Sequence, residues 1–148
     1  MLHFTILCVG TIKEKYMREA IGDYTKRLGK YVKMDFIEVS EAVSVKKEGE
    51  ALLARMPERA FITVLDLAGK MLSSPELAAL IDKKASGGYS HFVFVIGGSD
   101  GLDPSVTARA DFRLCMSEMT FPHQMARLIL LEQLYRAMKI NHGERYHK

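Results

Sequence analysis

"HFVFVIGG" occupies His91 to Gly98. Almost every side chain in it is apolar, with no alternation to mark a face turned to water, and it ends on a glycine pair. That is the pattern of a strand buried on both sides, which is how strands of parallel sheets sit beneath covering helices. Reading outward, "LHFTILCV" (2–9), the strictly alternating "VKMDFIEV" (32–39), "AFITVLDL" (60–67) and "DFRLCMS" (111–117) are further strands. Helix-period segments lie between them. "KEKYMREAIGDYTKRLGK" places Tyr16, Ala20, Tyr24 and Leu28 four residues apart, and "VKKEGEALLARM" ends before Pro57. "SSPELAALIDKKAS" offers Ser73 or Ser74 as N-cap, Pro75 at the first helical position and Glu76 in the first turn. "PSVTARA" reads as a short helical turn, and Pro122, preset for a first helical turn, opens the last helix.

Strands alternating with helices predict an α/β fold, a mainly parallel sheet flanked by helices. At 148 residues with no linker and no repeat, residues 1–148 read as a single domain. The 48% hydrophobic and 26% charged content argues against disorder and against a fibrous chain. A net charge of +3 permits an RNA partner but is too small for a general nucleic-acid coat. The apolar start lacks a basic stretch before it and no run approaches a membrane span, so the expectation is a cytoplasmic protein with no membrane partner. Cys8 and Cys115 lie in strand patterns without ligand spacing and read as core thiols. The five histidines form no HExxH or HxxxH pair, so no metal is expected.

Open parallel sheets bind ligands beyond the carboxyl ends of their strands, here the turns after Leu65, Ile96 and Met116. Each turn has two readings. "FVIGGSDGL" is a plain turn or a loop whose Gly97, Gly98 and Gly101 let backbone approach a ligand; it lacks a Walker lysine and is not GxGxxG. The Gly69–Lys70 pair is a solvated turn or part of a site. Met119 and Phe121 in "CMSEMTFPHQ" are core residues or the walls around a flat ring.

In the last helix, Glu132, Arg136 and Lys139 share one stripe at roughly 100° per residue. Its apolar residues, from Ala126 and Leu128 to Ala137 and Met138, spread over more than half the circumference. That arc is too wide for a helix covering one side of a sheet, so a second buried surface on a partner subunit is expected. Glu132 and Arg136 make an ordinary helix ion pair, or Arg136 is aimed at a phosphate or base. "NHGERYHK" (141–148) is a loose basic tail, or it brings Tyr146 to stack on a base and His147 to handle a proton.

"ILCVGTIKEKYMREAIGDYTKRL", "GKMLSS", "FVFVIGGSDGL" and above all "MTFPHQMARLILLEQLYRAMKINHGERYHK" closely resemble the RlmH family. These are bacterial SPOUT-class methyltransferases acting on N3 of a pseudouridine in 23S ribosomal RNA, and the resemblance covers essentially the whole chain. It implies an S-adenosylmethionine-dependent enzyme with a C-terminal trefoil knot, working as a homodimer on large-subunit rRNA within the assembled ribosome. By position it assigns cofactor binding to Leu65, Gly97, Met116, Ser117, Glu118, Met119, Thr120 and Phe121. It assigns the substrate side to Arg136, Tyr146, His147 and Lys148; catalysis is expected of Arg136, Tyr146 and His147, and RNA binding of Arg136, Arg145, Tyr146 and Lys148. Lys148 stands where some relatives have arginine, and Ser40–Lys47 is shorter than in several of them. Methyl transfer to another RNA such as a tRNA, or a non-enzymatic ribosome-binding module, are the competing readings.

Overall fold

A computed structural model describes residues 1–148. In chain order its elements are β1 (Leu2–Val9), α1 (Lys15–Leu28), β2 (Val32–Val39), α2 (Val45–Ala54), β3 (Phe61–Met71), α3 (Ser74–Ser86), β4 (His91–Ile96), α4 (Pro104–Arg109), β5 (Phe112–Cys115) and α5 (His123–Asn141). The five strands form one sheet in the order β2-β1-β4-β3-β5, and every neighbouring pair is parallel. The expected α/β architecture is what the chain adopts.

β4 shows why its sequence carries no alternation. Phe92, Phe94 and Ile96 point into a core shared with α1, α3 and α5, while Val93 and Val95 point into a second core under α2 and α4. None of the five exceeds 3% exposure, so each contributes roughly 1.5–3 kcal/mol of burial. β1 divides its residues the same way, Phe4, Ile6 and Cys8 to one face and Leu7 and Val9 to the other. Both cysteines are free and buried.

Three local readings change. β3 does not stop at a turn near Gly69–Lys70 but runs to Met71, because residues between Leu65 and Lys70 bulge out and both ends pair with Leu114 of β5. Gly69 makes the bulge possible: a Cβ there would lie 2.5 Å from the Arg113 carbonyl oxygen. Ser73 is the N-cap of α3, in a reciprocal pair with Glu76, which puts Pro75 at the second helical position rather than the first. Pro122, with ψ near 140°, caps α5 from outside instead of entering its first turn.

The wide apolar arc of α5 also has an intramolecular explanation. The helix packs against α1 and α3 at once and touches β4, burying Leu130, Leu131, Leu134, Tyr135, Ala137 and Met138 inside this chain. Lateral contact on two sides needs a broader stripe than a helix lying alone on a sheet, so the arc by itself does not call for a partner subunit.

Candidate active site

The order β4-β3-β5 brings the carboxyl ends of these three strands together, and their loops enclose a cavity of about 210 Å³. Leu65, Met116, Ser117, Met119, Thr120 and Phe121 all line it. Two residues of the expected set do not. Glu118 is exposed and does not line it, and Gly97 lies behind the wall. A Cβ on Gly97 would sit 2.6 Å from the Gly101 carbonyl oxygen. Gly97 therefore lets the loop fold back on itself, with Gly101 N–H donating to Gly98 O, so that Gly98, Ser99 and Gly101 reach the cavity instead. Leu114 and Ala126 complete walls that turn-by-turn reading of the sequence missed.

A second lobe of about 330 Å³ shares Leu114, Met116 and Phe121 with the first and extends past Leu72–Ser74 to Gln133 on α5. Ser74 Oγ donates to Gln133 Oε1 at its rim. Between the lobes, residues 117–121 belong to no helix or strand, and none of their backbone groups joins a backbone–backbone hydrogen bond. Only Met119 N–H is engaged, by Ser117 Oγ at 3.0 Å, and Ser117 O accepts from Cys115 Sγ. Backbone polar groups are normally paired. An apolar slot edged by unused donors and acceptors has the chemistry to hold an adenosyl group, whose faces are flat and whose edges hydrogen-bond.

At the other end of α5 the tail folds back onto the helix. Glu132 is the centre of this cluster: its carboxylate accepts from Arg136 Nη2 and from the Tyr146 hydroxyl, both at 2.8 Å, and from Gln133 Nε2. The Arg136 guanidinium lies 4.8 Å over the Tyr146 ring, and Tyr146 packs edge-on against Tyr135. Burial, then the bond to Glu132, pushes the Tyr146 phenol well above its ordinary range. Arg136 Nη1 is 3.2 Å from His147 Nδ1. A guanidinium has no acceptor, so Nδ1 accepts and the imidazole proton resides on Nε2. Glu144 ties the turn down, accepting from Tyr31 Oη and Lys139 Nζ; those two bonds lower its pKa, while the nearby Tyr31 hydroxyl and then Glu144 raise that of Lys139. The ordinary i,i+4 pair of Glu132 and Arg136 is formed, and it also holds the tail. Arg145 and Lys148 are exposed and make no hydrogen bond or ion pair.

Arg127 was not singled out in the sequence, yet it is 2% exposed. Nη1 meets Glu38 Oε2 at 2.7 Å and Nη2 donates to Gly10 O, fastening the start of α5 to β1 and β2; Nε has no partner. Its signal was spacing, because Arg127 falls on the 127-130-131-134 stripe whose other members are core leucines. Burial pushes the nearby Cys8 thiol up to about 11, against the pull of Arg127. No group of three His, Cys, Asp or Glu side chains is placed to hold a metal ion, and no helix is long and apolar enough to cross a membrane.

Residues 2–147 match the family model described as "Predicted SPOUT methyltransferase". The chain is 45% identical to the ribosomal RNA large subunit methyltransferase H of Clostridium beijerinckii, 46% to that of Bifidobacterium adolescentis and 47% to that of Clostridium novyi. Each alignment covers 99% of this chain and 100% of the relative. With a parallel sheet, a slot at the carboxyl ends of its strands and full-length likeness at this level, the chain belongs to the SPOUT methyltransferases and, within them, to the ribosomal RNA large subunit methyltransferase H family.

Proposed function

We propose that the protein transfers a methyl group from S-adenosylmethionine to N3 of a pseudouridine in 23S rRNA, within the assembled ribosome and in the cytoplasm. The observation that carries this reading is the apolar slot bordered by the largely unpaired backbone of residues 117–121. Leu65, Met116 and Phe121 would sandwich the adenine, with backbone groups of 117–121 and of the loop behind Gly97 at its edges. Bound S-adenosylmethionine supplies an electrophilic methyl group, so the protein's work is orientation and handling of one imide proton.

The tail supplies the groups for that work. Arg136 stabilises negative charge developing on the imide or holds a phosphate, Tyr146 packs on the base, and Arg145 and Lys148 grip the RNA backbone. His147 takes the proton. Since Arg136 occupies its Nδ1 in the free chain, His147 becomes a base only when an anionic group draws Arg136 away. RNA arrival would thereby switch the base on.

The protein acts as a homodimer. Arg136 lies ten residues beyond Ala126 on one helix, roughly 15 Å along its axis, so a tail serving the slot of its partner closes the distance better than one serving its own. Leu67, Met71, Met119 and Met125, exposed around the slot, are available to such an interface. The same family reading carries the trefoil knot, supported by a chain that passes β3 to form β5 before residues 116–121 return beside Leu65 and Gly98.

The test is to incubate the protein with methyl-labelled S-adenosylmethionine and ribosomes from cells lacking it, then map the label. Label on N3 of a large-subunit pseudouridine is expected. Label on another nucleotide or on tRNA would replace the substrate, and no cofactor binding at all would leave a ribosome-binding module. Mixing a Phe121→Ala protomer with an Arg136→Ala protomer should restore transfer if the tail works across the dimer; no recovery would put the tail in its own subunit.

A further inference from the structure

A larger cavity, about 480 Å³, lies between α1, the end of β2 and the second turn of α5. Its walls include Arg18, Thr25 and Lys26 from α1, Phe36 and Glu38 from β2, and Arg127 from α5. Glu38 is the one carboxylate among the lining residues and is already held by Arg127 at 2.7 Å. Arg18 and Lys26 have no acidic partner, although Lys15 and Arg27 on the same helix pair with Glu19 and Asp23. Arg18 is also fixed in place, because Nη1 donates to the carbonyls of Ile12 and Lys13 and leaves its remaining donors free.

Arg18 and Lys26 are two i,i+4 steps apart, on one face of α1. The separation along the axis is roughly 12 Å, too far for one small anion and suited to phosphates two nucleotides apart on a strand. Phe36 offers an aromatic surface in the same cavity. The position is equally telling: Ala126 lines the cofactor slot and its neighbour Arg127 lines this cavity, so the two lie on either side of one turn of α5.

We propose that this cavity binds the backbone of the RNA strand flanking the methylated nucleotide, with Arg18 and Lys26 as phosphate contacts and Phe36 as a stacking surface. The proposal rests on the rRNA methyltransferase reading and adds a subsite to it. Held there, the strand is anchored about one helix width, roughly 10 Å, from the slot.

The test compares Arg18→Glu/Lys26→Glu with Lys46→Glu/Lys47→Glu, an equal charge change at exposed positions of α2. Cosedimentation gives the Kd for ribosomes, and methyl transfer gives the KM. Arg18→Glu/Lys26→Glu should raise both at least tenfold and flatten their salt dependence, with affinity for S-adenosylmethionine unchanged; the α2 variant should stay within twofold. Equal effects from both variants, or none from the first, would overturn the subsite. Gly22 lines the cavity with nothing within 4 Å of a built Cβ, so Gly22→Cys can carry a photo-crosslinker while Cys8 and Cys115 stay buried. Crosslinks to rRNA support the assignment, and crosslinks confined to ribosomal protein overturn it. Crosslinking of the Gly22→Cys protein to rRNA, with wild-type protein binding ribosomes but not methylating them, would sink the catalytic reading and leave the subsite standing.

Discussion

The two ends of α5 are built on opposite principles. Before its first turn, residues 117–121 leave most of their backbone groups unpaired beside an apolar slot. At its other end the tail folds back along the helix, where Glu132, Arg136, Tyr146 and His147 satisfy one another and Glu144 closes the loop with Tyr31 and Lys139. One end is open to a ligand that would complete its hydrogen bonds. The other is a preassembled cluster whose bonds have to be exchanged for those of a substrate. A site that binds a small cofactor first and a large RNA second needs both: an open slot breaks few internal hydrogen bonds when it fills, while a self-satisfied tail keeps charged groups ordered until a competing anion arrives.

The largest effect should come from Arg127→Ala, which unfastens the open end from β1 and β2. Breaking a buried ion pair costs roughly 3–5 kcal/mol, and this case belongs at the lower limit because Glu38 is 35% exposed and can regain water. Urea unfolding measures it, and an unshifted midpoint would mean that the pair does not hold the helix. Next is Glu132→Ala, which removes the shared acceptor of the closed end. Methyl transfer should fall by about 10²-fold, the scale of a small misplacement of reacting groups, with cofactor affinity intact. Glu132→Gln, which keeps an acceptor oxygen, should recover part of the loss, and equal loss in both variants would show that the charge and not the placement matters. Gly97→Ala attacks the open end through the 2.6 Å approach of the Gly101 carbonyl and should weaken cofactor binding about tenfold, or about 1.4 kcal/mol. Calorimetry with S-adenosylmethionine reads this directly.

Two smaller effects lie away from α5 and set its scale. At the amino ends of the strands, His3 stacks on His91 at 4.0 Å, Thr5 bonds His91, and Asp35 bonds His3. Burial, then the neighbouring His3, lowers the His91 pKa below its usual 6.5, against the pull of Asp35. The unfolded chain then binds the proton more tightly, so stability is full above about pH 6.5 and declines as pH falls towards the folded value. His91→Gln should flatten that slope in a pH series of thermal melts, and an unchanged slope would assign it to other groups. Least of all, Cys8, raised to about 11, should resist alkylation at neutral pH in the folded protein and react only on unfolding.

Much of this was legible in the residues. The unbroken apolar run of β4 foretold a strand between two cores, and the turn after Cys115, with Met116, Met119 and Phe121, foretold the slot wall. The misreadings share a cause. The Gly69–Lys70 pair looked like a turn because glycine marks both turns and close backbone crossings, and only the neighbouring β5 tells which. The apolar arc of α5 is explained within the chain by α1 and α3, and it leaves the partner subunit to other evidence, because periodicity counts buried faces without saying what buries them. Arg127 went unnoticed because its charge hid a core position that its spacing alone revealed.

Local patterns carried the elements, their parallel association and the loops where chemistry gathers, since period, caps and turn residues are properties of near neighbours. Which loops meet, and which side chains finish as partners, depended on contacts between residues far apart in the chain. Glu38 with Arg127 and Tyr31 with Glu144 are such pairs. No spacing rule reaches across such separations, because they become neighbours only after the sheet and α5 have packed.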